Sequence, residues 1–197
     1  MTPQKYGSSP EFFETLYRKA EDPWNFRNSD YERHRYAAIV DNVSDRQFRS
    51  AFEAGCAIGE LTALLAPFCD SLDAMDCSLT AVDTARYRCR YYPHVHVRQG
   101  TLPNDLPSKM YDLIVFSELG YYFTREDLAV LSTQLWSKLK PGGRLIACHW
   151  LGHSEDHQLH GAEVHEIMCR VLQDCGDLKP PARGYTLQRW SKGNDEH

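Results

Sequence analysis

Between residues 53 and 59 the chain reads Glu-Ala-Gly-Cys-Ala-Ile-Gly, and an acid, Asp76, follows 17 residues after Gly59. Gly55 has no Cβ, so it can turn sharply and let a ligand approach the backbone. Gly59 permits a helix to pack closely on a strand. A G-x-G-x-x-G loop holds the pyrophosphate of a dinucleotide at a helix N-terminus. Here position 57 is Ala, so the turn suits a nucleoside that carries no phosphate. A carboxylate at Asp76 can accept both hydroxyls of a ribose. Taken alone, it could equally cap a helix beginning near Leu79. Glycine turn and acid, in that order on consecutive strand ends, point together to a nucleoside site.

A second group of residues could do the chemistry. Ser117-Glu118-Leu119-Gly120-Tyr121-Tyr122 follows an apolar run, and tyrosine faces with nearby oxygens suit a cationic ligand. One tyrosine is expected to pack and the other to face the site. His149 closes a later apolar run and His165 follows in Gly-Ala-Glu-Val-His-Glu. Imidazole titrates near neutral pH, so either could take a proton from an ammonium acceptor, or each could satisfy a local backbone bond. His149, His153, His157, His160 and His165 are dense, but Gly152 and Gly161 interrupt any shared helical face. No metal is assigned. Glu155 and Asp156 could receive a cationic or polyhydroxy acceptor.

Strand ends and helix starts must position these groups. Ser50 to Ala54, Leu72 to Met75, His94 to Gln99, Tyr111 to Ser117 and Arg144 to Trp150 read as strands. Gly59 to Phe68, Leu79 to Tyr91, Glu126 to Leu139 and Gly161 to Leu172 read as helices, the third stopped by Pro141-Gly142-Gly143. Tyr185 to Trp190 alternates like an edge strand. Leu-Ile-Val-Phe and Leu-Ile-Ala-Cys are continuously apolar, as in strands covered on both faces. The alternation predicts an α/β, doubly wound Rossmann-like sheet of seven or slightly fewer strands. Two earlier helices, around Phe12–Tyr17 and from Ser29 or Asp30 to Val43, have no strand between them. They are expected to form a helical lid, residues 1–48, on a core of residues 49–197.

Bulk properties narrow the partners. The 197 residues carry a formal charge of −5, which lacks the clustered basic excess of a nucleic-acid binder. Arg86, Arg88 and Arg90 interleave with Tyr87 and Tyr91, but on a helix they read as an amphipathic surface rather than a base-stacking one. No apolar run is long enough to span a bilayer, and no signal pattern opens the chain, so no membrane partner and a cytoplasmic location are expected. Seven cysteines with no C-x-x-C pair read as reduced thiols.

On these motifs the chain resembles the class I S-adenosylmethionine (SAM) dependent methyltransferases. Ala-Phe-Glu-Ala-Gly-Cys-Ala-Ile-Gly-Glu-Leu-Thr is similar to their glycine-rich motif and Leu-Asp-Ala-Met-Asp-Cys-Ser to their acidic strand end. Tyr-Asp-Leu-Ile-Val-Phe-Ser-Glu-Leu-Gly-Tyr-Tyr-Phe and Leu-Lys-Pro-Gly-Gly-Arg-Leu-Ile-Ala-Cys-His-Trp are similar to the fourth and fifth strands. Asp-Pro-Trp-Asn-Phe and Tyr-Glu-Arg-His-Arg-Tyr-Ala-Ala-Ile-Val narrow the resemblance to the NodS-like branch, typified by N-methyltransferases acting on the free amine of a deacetylated chito-oligosaccharide.

The resemblance implies SAM as cofactor and S-adenosylhomocysteine (SAH) as product. Glu53, Gly55, Cys56 and Gly59 would line the methionine and ribose. Asp76 would hold the diol, and Cys77, Ser78, Gly100, Thr101 and Leu102 would approach the adenine. Trp24, Tyr31 and Arg35 would belong to the lid, Arg35 pairing with the SAM carboxylate or remaining solvated. Ser117, Glu118, Tyr121 and Tyr122 would face the sulfonium, with His149, His165, Glu118 and Tyr122 as catalytic candidates. The expected acceptor is an amine-bearing sugar or similar small molecule. O- or carboxyl-methyl transfer, non-catalytic SAM binding and a nicotinamide-dependent oxidoreductase are the alternatives; the last lacks a Tyr-x-x-x-Lys pair. Ser-Glu-Leu-Gly-Tyr-Tyr lacks the prolines of base-amine methyltransferases, which argues against nucleic acid.

Overall fold

The computed structural model describes residues 9–179 and 184–193. Helix α1 (Pro10–Lys19) starts where the Ser9 side chain accepts from the Phe12 N–H and Pro10 presets the first turn. Helix α2 (Asp30–Asp41) is capped in the same way by Ser29. From there strands and helices alternate: β1 (Ala51–Ala54), α3 (Glu60–Leu65), β2 (Leu72–Asp76), α4 (Leu79–Arg88), β3 (Val95–Gln99), β4 (Tyr111–Ser117), α5 (Arg125–Ser137), β5 (Leu139–Trp150), α6 (Gly161–Leu172), β6 (Asp177–Leu178) and β7 (Tyr185–Ser191).

The strands form one seven-stranded sheet in the order β3-β2-β1-β4-β5-β7-β6. All pairings are parallel except those of β7 with β5 and β6. The chain winds outward from β1 in one direction, then crosses to β4 and winds in the other. That reversal opens a crevice at the carboxyl ends of β1 and β4. Ala54 is in register with both Met75 and Phe116, so Gly55, Asp76 and Ser117 all leave the sheet at one edge.

Alternate residues fill the two layers. Phe52, Ile114, Phe116, Leu145 and Ala147 meet Leu128, Leu131 and Leu135 of α5 and Val164 of α6. Leu113, Val115, Ile146 and Leu187 meet Ile39 of α2 and Leu61 and Leu65 of α3. Both faces are covered, which is why these strands read as unbroken apolar runs.

Four boundaries differ from expectation. Helix α4 ends at Arg88, before the residues preceding Pro93, where the helical region is disfavoured. The helix from Gly59 gives way at Leu65 to a 3₁₀ turn over Ala66–Phe68, whose second residue is Pro67. Pro141-Gly142-Gly143 does not stop α5, which closes at Lys138; it forms an irregular opening of β5, where the β4 register shifts. Tyr185–Trp190 is not an edge strand: it runs between β5 and the two-residue β6, and its Tyr185, Thr186, Leu187, Gln188 and Trp190 are all buried. All seven cysteines are free thiols, and no helix among the described residues is long and apolar enough to cross a membrane.

Candidate active site

A cavity of about 420 Å³ occupies the crevice. Its floor is Glu53 to Ile58, Asp76 and Cys77. Its wall is Ser117, Glu118, Leu119, Tyr121 and Tyr122, and Phe13, Tyr17, Trp24, Phe26, Tyr31 and Arg35 reach it from the N-terminal helices. A smaller adjoining cavity, about 80 Å³, is lined by Gly100, Thr101 and Leu102 and shares Gly55, Asp76, Cys77 and Tyr122 with the first.

Backbone geometry builds the floor. Gly55 lies at φ +74°, which favours glycine, and a Cβ there would stand 3.2 Å from the Leu119 side chain, which would have to shift. The Gly55 and Cys56 N–H groups both donate to the Met75 carbonyl at 2.9 Å. Asp76 then locks the turn: its Oδ2 accepts from the Ala57 N–H and its Oδ1 from the Ser78 N–H, each at 2.9 Å. Burial raises the carboxyl above its ordinary value, and these backbone donors oppose the shift. Gly59 does not reach the cavity. It starts α3 at φ +81°, and a Cβ would stand 2.9 Å from the Ala85 backbone, so its role is to let α3 approach α4 rather than a strand. Ser78 likewise caps α4 and does not line either cavity.

Ser78 has a second task. Its hydroxyl donates to Glu14 of α1 at 2.7 Å, and Thr80 donates to the same carboxylate from its N–H at 3.2 Å and its hydroxyl at 2.8 Å. Those bonds hold Glu14 down to about 2. The N-terminal helix is thus latched beside the acid that ends β2. A depressed pKa contributes stability above the ordinary carboxylate value, which is lost as pH falls through the folded one. Glu14→Gln should loosen α1 at neutral pH, where the lost charge-assisted bonds are worth about 1 kcal/mol or more. Faster amide exchange over 10–19 with an unchanged core checks this; unchanged exchange in α1 refutes it.

The wall contains a strained residue. Glu118 lies at φ +55°, a region costly for a side chain with a Cβ. Its Oε1 accepts from the Trp150 N–H at 2.7 Å and its Oε2 from the Tyr121 hydroxyl at 2.9 Å. Burial raises Glu118, and Arg35 opposes that. Arg35 is 3% exposed. Its Nε donates to Glu32 at 3.0 Å and its Nη1 to the Ser117 hydroxyl at 2.5 Å. It is therefore an internal counter-ion, not a solvated helix residue. Burial would disfavour its charge, but Glu118 and Glu32 more than offset this and raise its pKa. Both Tyr121 and Tyr122 line the cavity, so the expected split between a packing and a facing tyrosine does not occur. Tyr121 stacks on His157 with centroids 3.7 Å apart, and Tyr122 meets the Phe13 ring edge-on at 4.9 Å.

The structure does not bring His149 or His165 to the cavity. His149 is wholly buried; its Nε2 accepts from the Gly120 N–H at 3.0 Å and its Nδ1 meets His165 at 3.2 Å. Burial depresses the basicity of both, His165 to about 4. Alternation along β5 explains the placement: His149 points to the α6 layer, while the next residue, Trp150, reaches the cavity. Trp150, Ser154, Asp156 and His157 line the end that the smaller cavity does not share. Of these, sequence reasoning raised Asp156 and saw His157 only as one histidine among five. Burial lowers His157, partly opposed by Asp156. Among the described residues no three His, Cys, Asp or Glu side chains converge as a metal site would require.

Among the described residues lining the cavity, the Tyr31 hydroxyl is buried without a hydrogen-bond partner. Six carboxylates line it (Glu32, Glu53, Glu60, Asp76, Glu118 and Asp156) against one guanidinium, Arg35. Burial pushes Glu53 up to about 8. Such a chamber fits a ligand that brings cations and hydrogen-bonding groups.

The family model of Nodulation protein S matches residues 12–163. The chain belongs to the Nodulation protein S family. Every residue lining the larger cavity lies inside the matched span. Nodulation protein S of Sinorhizobium fredii is 31% identical over 83% of this chain and 85% of its own length. That of Azorhizobium caulinodans is 30% identical over 79% and 78%. A methyltransferase structure from Pseudomonas syringae is 37% identical, covers 82% of this chain and 99% of its own, and superposes with a TM-score of 0.71. The N-methyltransferase NodS of Bradyrhizobium japonicum, solved with SAH, shares the fold at a TM-score of 0.77, 22% identity and coverage of 93% and 98%. This Nodulation protein S family member is a SAM-dependent class I methyltransferase.

Proposed function

We propose that the chain methylates the free amine of a small, hydroxyl-rich acceptor such as an amino sugar. The observation that carries this reading is the acidic lining of the cavity: six carboxyl side chains stand against one guanidinium among the described residues. Glu60 is ion-paired with Arg27 and Arg88, and burial keeps Glu53 neutral below about 8, yet the acids still outnumber the base. An acidic chamber favours a sulfonium donor and an ammonium acceptor, and disfavours the carboxylate acceptor of a carboxyl-methyltransferase. The neighbour solved with SAH is named an N-methyltransferase, which supports the same direction.

SAM would supply an electrophilic methyl group on sulfur for in-line transfer to the acceptor nitrogen, with SAH as the leaving group. The chain's residues align the partners, exclude water and accept the proton the amine loses. Asp76 offers its carboxylate to the ribose diol, and Gly100, Thr101 and Leu102 shape the adenine space. Glu53 faces the methionine ammonium and Arg35 the carboxylate. The helices of residues 1–48 act as a lid over the 49–197 core, placing Phe13, Tyr17, Trp24 and Phe26 as an aromatic roof for a cation. Asp156 attracts the acceptor ammonium, and His157 takes the proton.

Glu53 gives a distinct signature. Held neutral below about 8 by burial, it should ionise when the ligand's ammonium arrives, because a nearby cation lowers a carboxyl pKa. SAM binding near pH 7 should therefore release protons, and affinity should rise with pH until about 8. Calorimetry in buffers of different ionisation enthalpy measures the release; Glu53→Gln should abolish it. Buffer-independent heats would remove Glu53 from the ammonium site.

Mass spectrometry of a chito-oligosaccharide with one free amine, incubated with SAM, tests the whole reading. A product one methylene heavier is expected, with none from the fully N-acetylated oligosaccharide. Methylation of the N-acetylated form would replace nitrogen by oxygen as the target.

A further inference from the structure

His149 and His165 are buried, lie outside the cavity, and have no part in the proton transfer proposed above. Their hydrogen bonds form a line of fixed direction. At one end the Gly120 N–H can only donate, so the lone pair of His149 Nε2 must accept, at 3.0 Å. At the other end the Cys175 carbonyl can only accept, so the Gln188 amide nitrogen faces it and the amide oxygen faces His165. Between these ends every proton is determined. His149 carries its hydrogen on Nδ1 and donates to His165 Nε2 at 3.2 Å. His165 carries its hydrogen on Nδ1 and donates to Gln188 Oε1 at 2.8 Å. A further proton on either ring would set two N–H groups against each other. The groups facing His149 also discourage charge: His165, Arg35 and His157 all act against it, after burial.

This line starts at the turn that carries the cavity wall. Ser117 is the last residue of β4 in register with β5, opposite Cys148, and the Glu118 N–H still donates to the Cys148 carbonyl at 2.9 Å. Beyond that rung the backbones part, and side chains replace the ladder in both directions. The Glu118 carboxylate accepts from the Trp150 N–H, and the His149 imidazole accepts from the Gly120 N–H. The pair spans a residue held at φ +55°, and Gly120 is pressed between Val164 and His149 with no room for a Cβ.

We propose that His149, His165 and Gln188 form a one-way hydrogen-bond strut that positions Glu118 and the Ser117–Tyr122 turn for methyl transfer, without exchanging protons with the acceptor. The proposal rests on the methyl-transfer reading for its catalytic half only. The strut itself braces β4 against β5, α6 and β7, so the turn keeps one geometry when the cavity fills. Displacing a positioning group by about 1 Å can slow a reaction by about 100-fold.

Two measurements test it on the full-length protein. Nitrogen-15 NMR of the imidazoles should show His149 and His165 as Nδ1–H tautomers, the minor form in water, with no titration between pH 8 and pH 5. An Nε2–H tautomer at either, or a midpoint near neutral pH, would overturn the strut whether or not the chain methylates anything. In turnover assays on the free-amine oligosaccharide, His149→Ala should lower kcat about 100-fold with SAM affinity nearly intact. His149→Gln keeps an acceptor near the Nε2 position but cannot act as a base. It should recover kcat to within about tenfold of the parent, one hydrogen bond being worth about that or less, with the pH profile unchanged in shape. Failure of Gln to recover activity in a folded variant, or loss of the rising pH limb in it, would assign His149 as a base instead. Should His149→Ala not fold, the tautomer measurement and the Gln variant decide alone.

Discussion

Asp76→Ala should weaken SAM binding by more than about 100-fold, measured by calorimetry. Two ribose hydroxyls donating to one carboxylate make two charge-assisted bonds, each worth about 1.5–3 kcal/mol. Their joint loss is about 3 kcal/mol or more, a factor above about 100 in dissociation constant. The substitution also frees the Ala57 and Ser78 N–H groups that Asp76 now holds at 2.9 Å. The glycine turn would lose its tie to β2, so the loss should reach the methionine half of the ligand too. Asp76→Asn separates the two effects. Its amide oxygen can still accept one of these backbone bonds, but it brings no charge, so its penalty should be smaller. A dissociation constant for Asp76→Ala within about threefold of the parent, less than one hydrogen bond is worth, would mean the nucleoside lies elsewhere. Adenosine itself, which lacks the methionine, should show the same dependence on Asp76 and little on Glu53. That contrast locates the two ends of the ligand independently.

The doubly wound sheet and its glycine turn were legible because the signals for both are local. Gly55, Asp76 and the apolar runs of β4 and β5 announce themselves by spacing and composition, and the winding rules of α/β sheets do the rest. Gly59 was read correctly as a close-packing glycine but against the wrong partner, since Ala85 is 26 residues away and nothing local marks it. His149 misled for a related reason. Its position on the ligand-binding edge was right, but which way its ring points depends on strand phase, and a one-residue change of phase exchanges the two faces. Trp150, the neighbour that does reach the cavity, was seen only as part of a motif. Asp156 and His157 lie in a loop with no periodicity, so only their chemistry, not their direction, could be read. β7 was legible as a strand, but its inner position was not, because its outer neighbour is only two residues long and carries no periodicity of its own. The Glu14 latch joins residues 64 and 66 positions apart, which no local signal marks.

Arg35→Met should lower the melting temperature by roughly 6–20 °C. The guanidinium is 3% exposed and is the only arginine or lysine side chain among the described residues lining the cavity. Glu32, 6% exposed, and Glu118 both depend on it. Removing one partner of a buried charge group leaves the others uncompensated and costs about 3–5 kcal/mol, and for a domain of this size each kcal/mol moves the midpoint by roughly 2–4 °C. The pH dependence has a definite sign. Without Arg35, Glu118, which burial already raises, should bind its proton more tightly in the folded state than in the unfolded chain. A raised folded pKa gives stability that is present at low pH and lost as pH rises through that pKa. The deficit of Arg35→Met should therefore be greatest above neutral pH and shrink on acidification, opposite to a simple packing defect, which is insensitive to pH. Adding Glu32→Gln should restore part of the lost stability by removing one unpaired charge, while Glu118 keeps its bonds to the Trp150 N–H and the Tyr121 hydroxyl. A pH-independent deficit, or no recovery in the double variant, would show that Arg35 serves by volume rather than charge. The cavity would then lack the internal counter-ion that lets Glu32 and Glu118 share one wall.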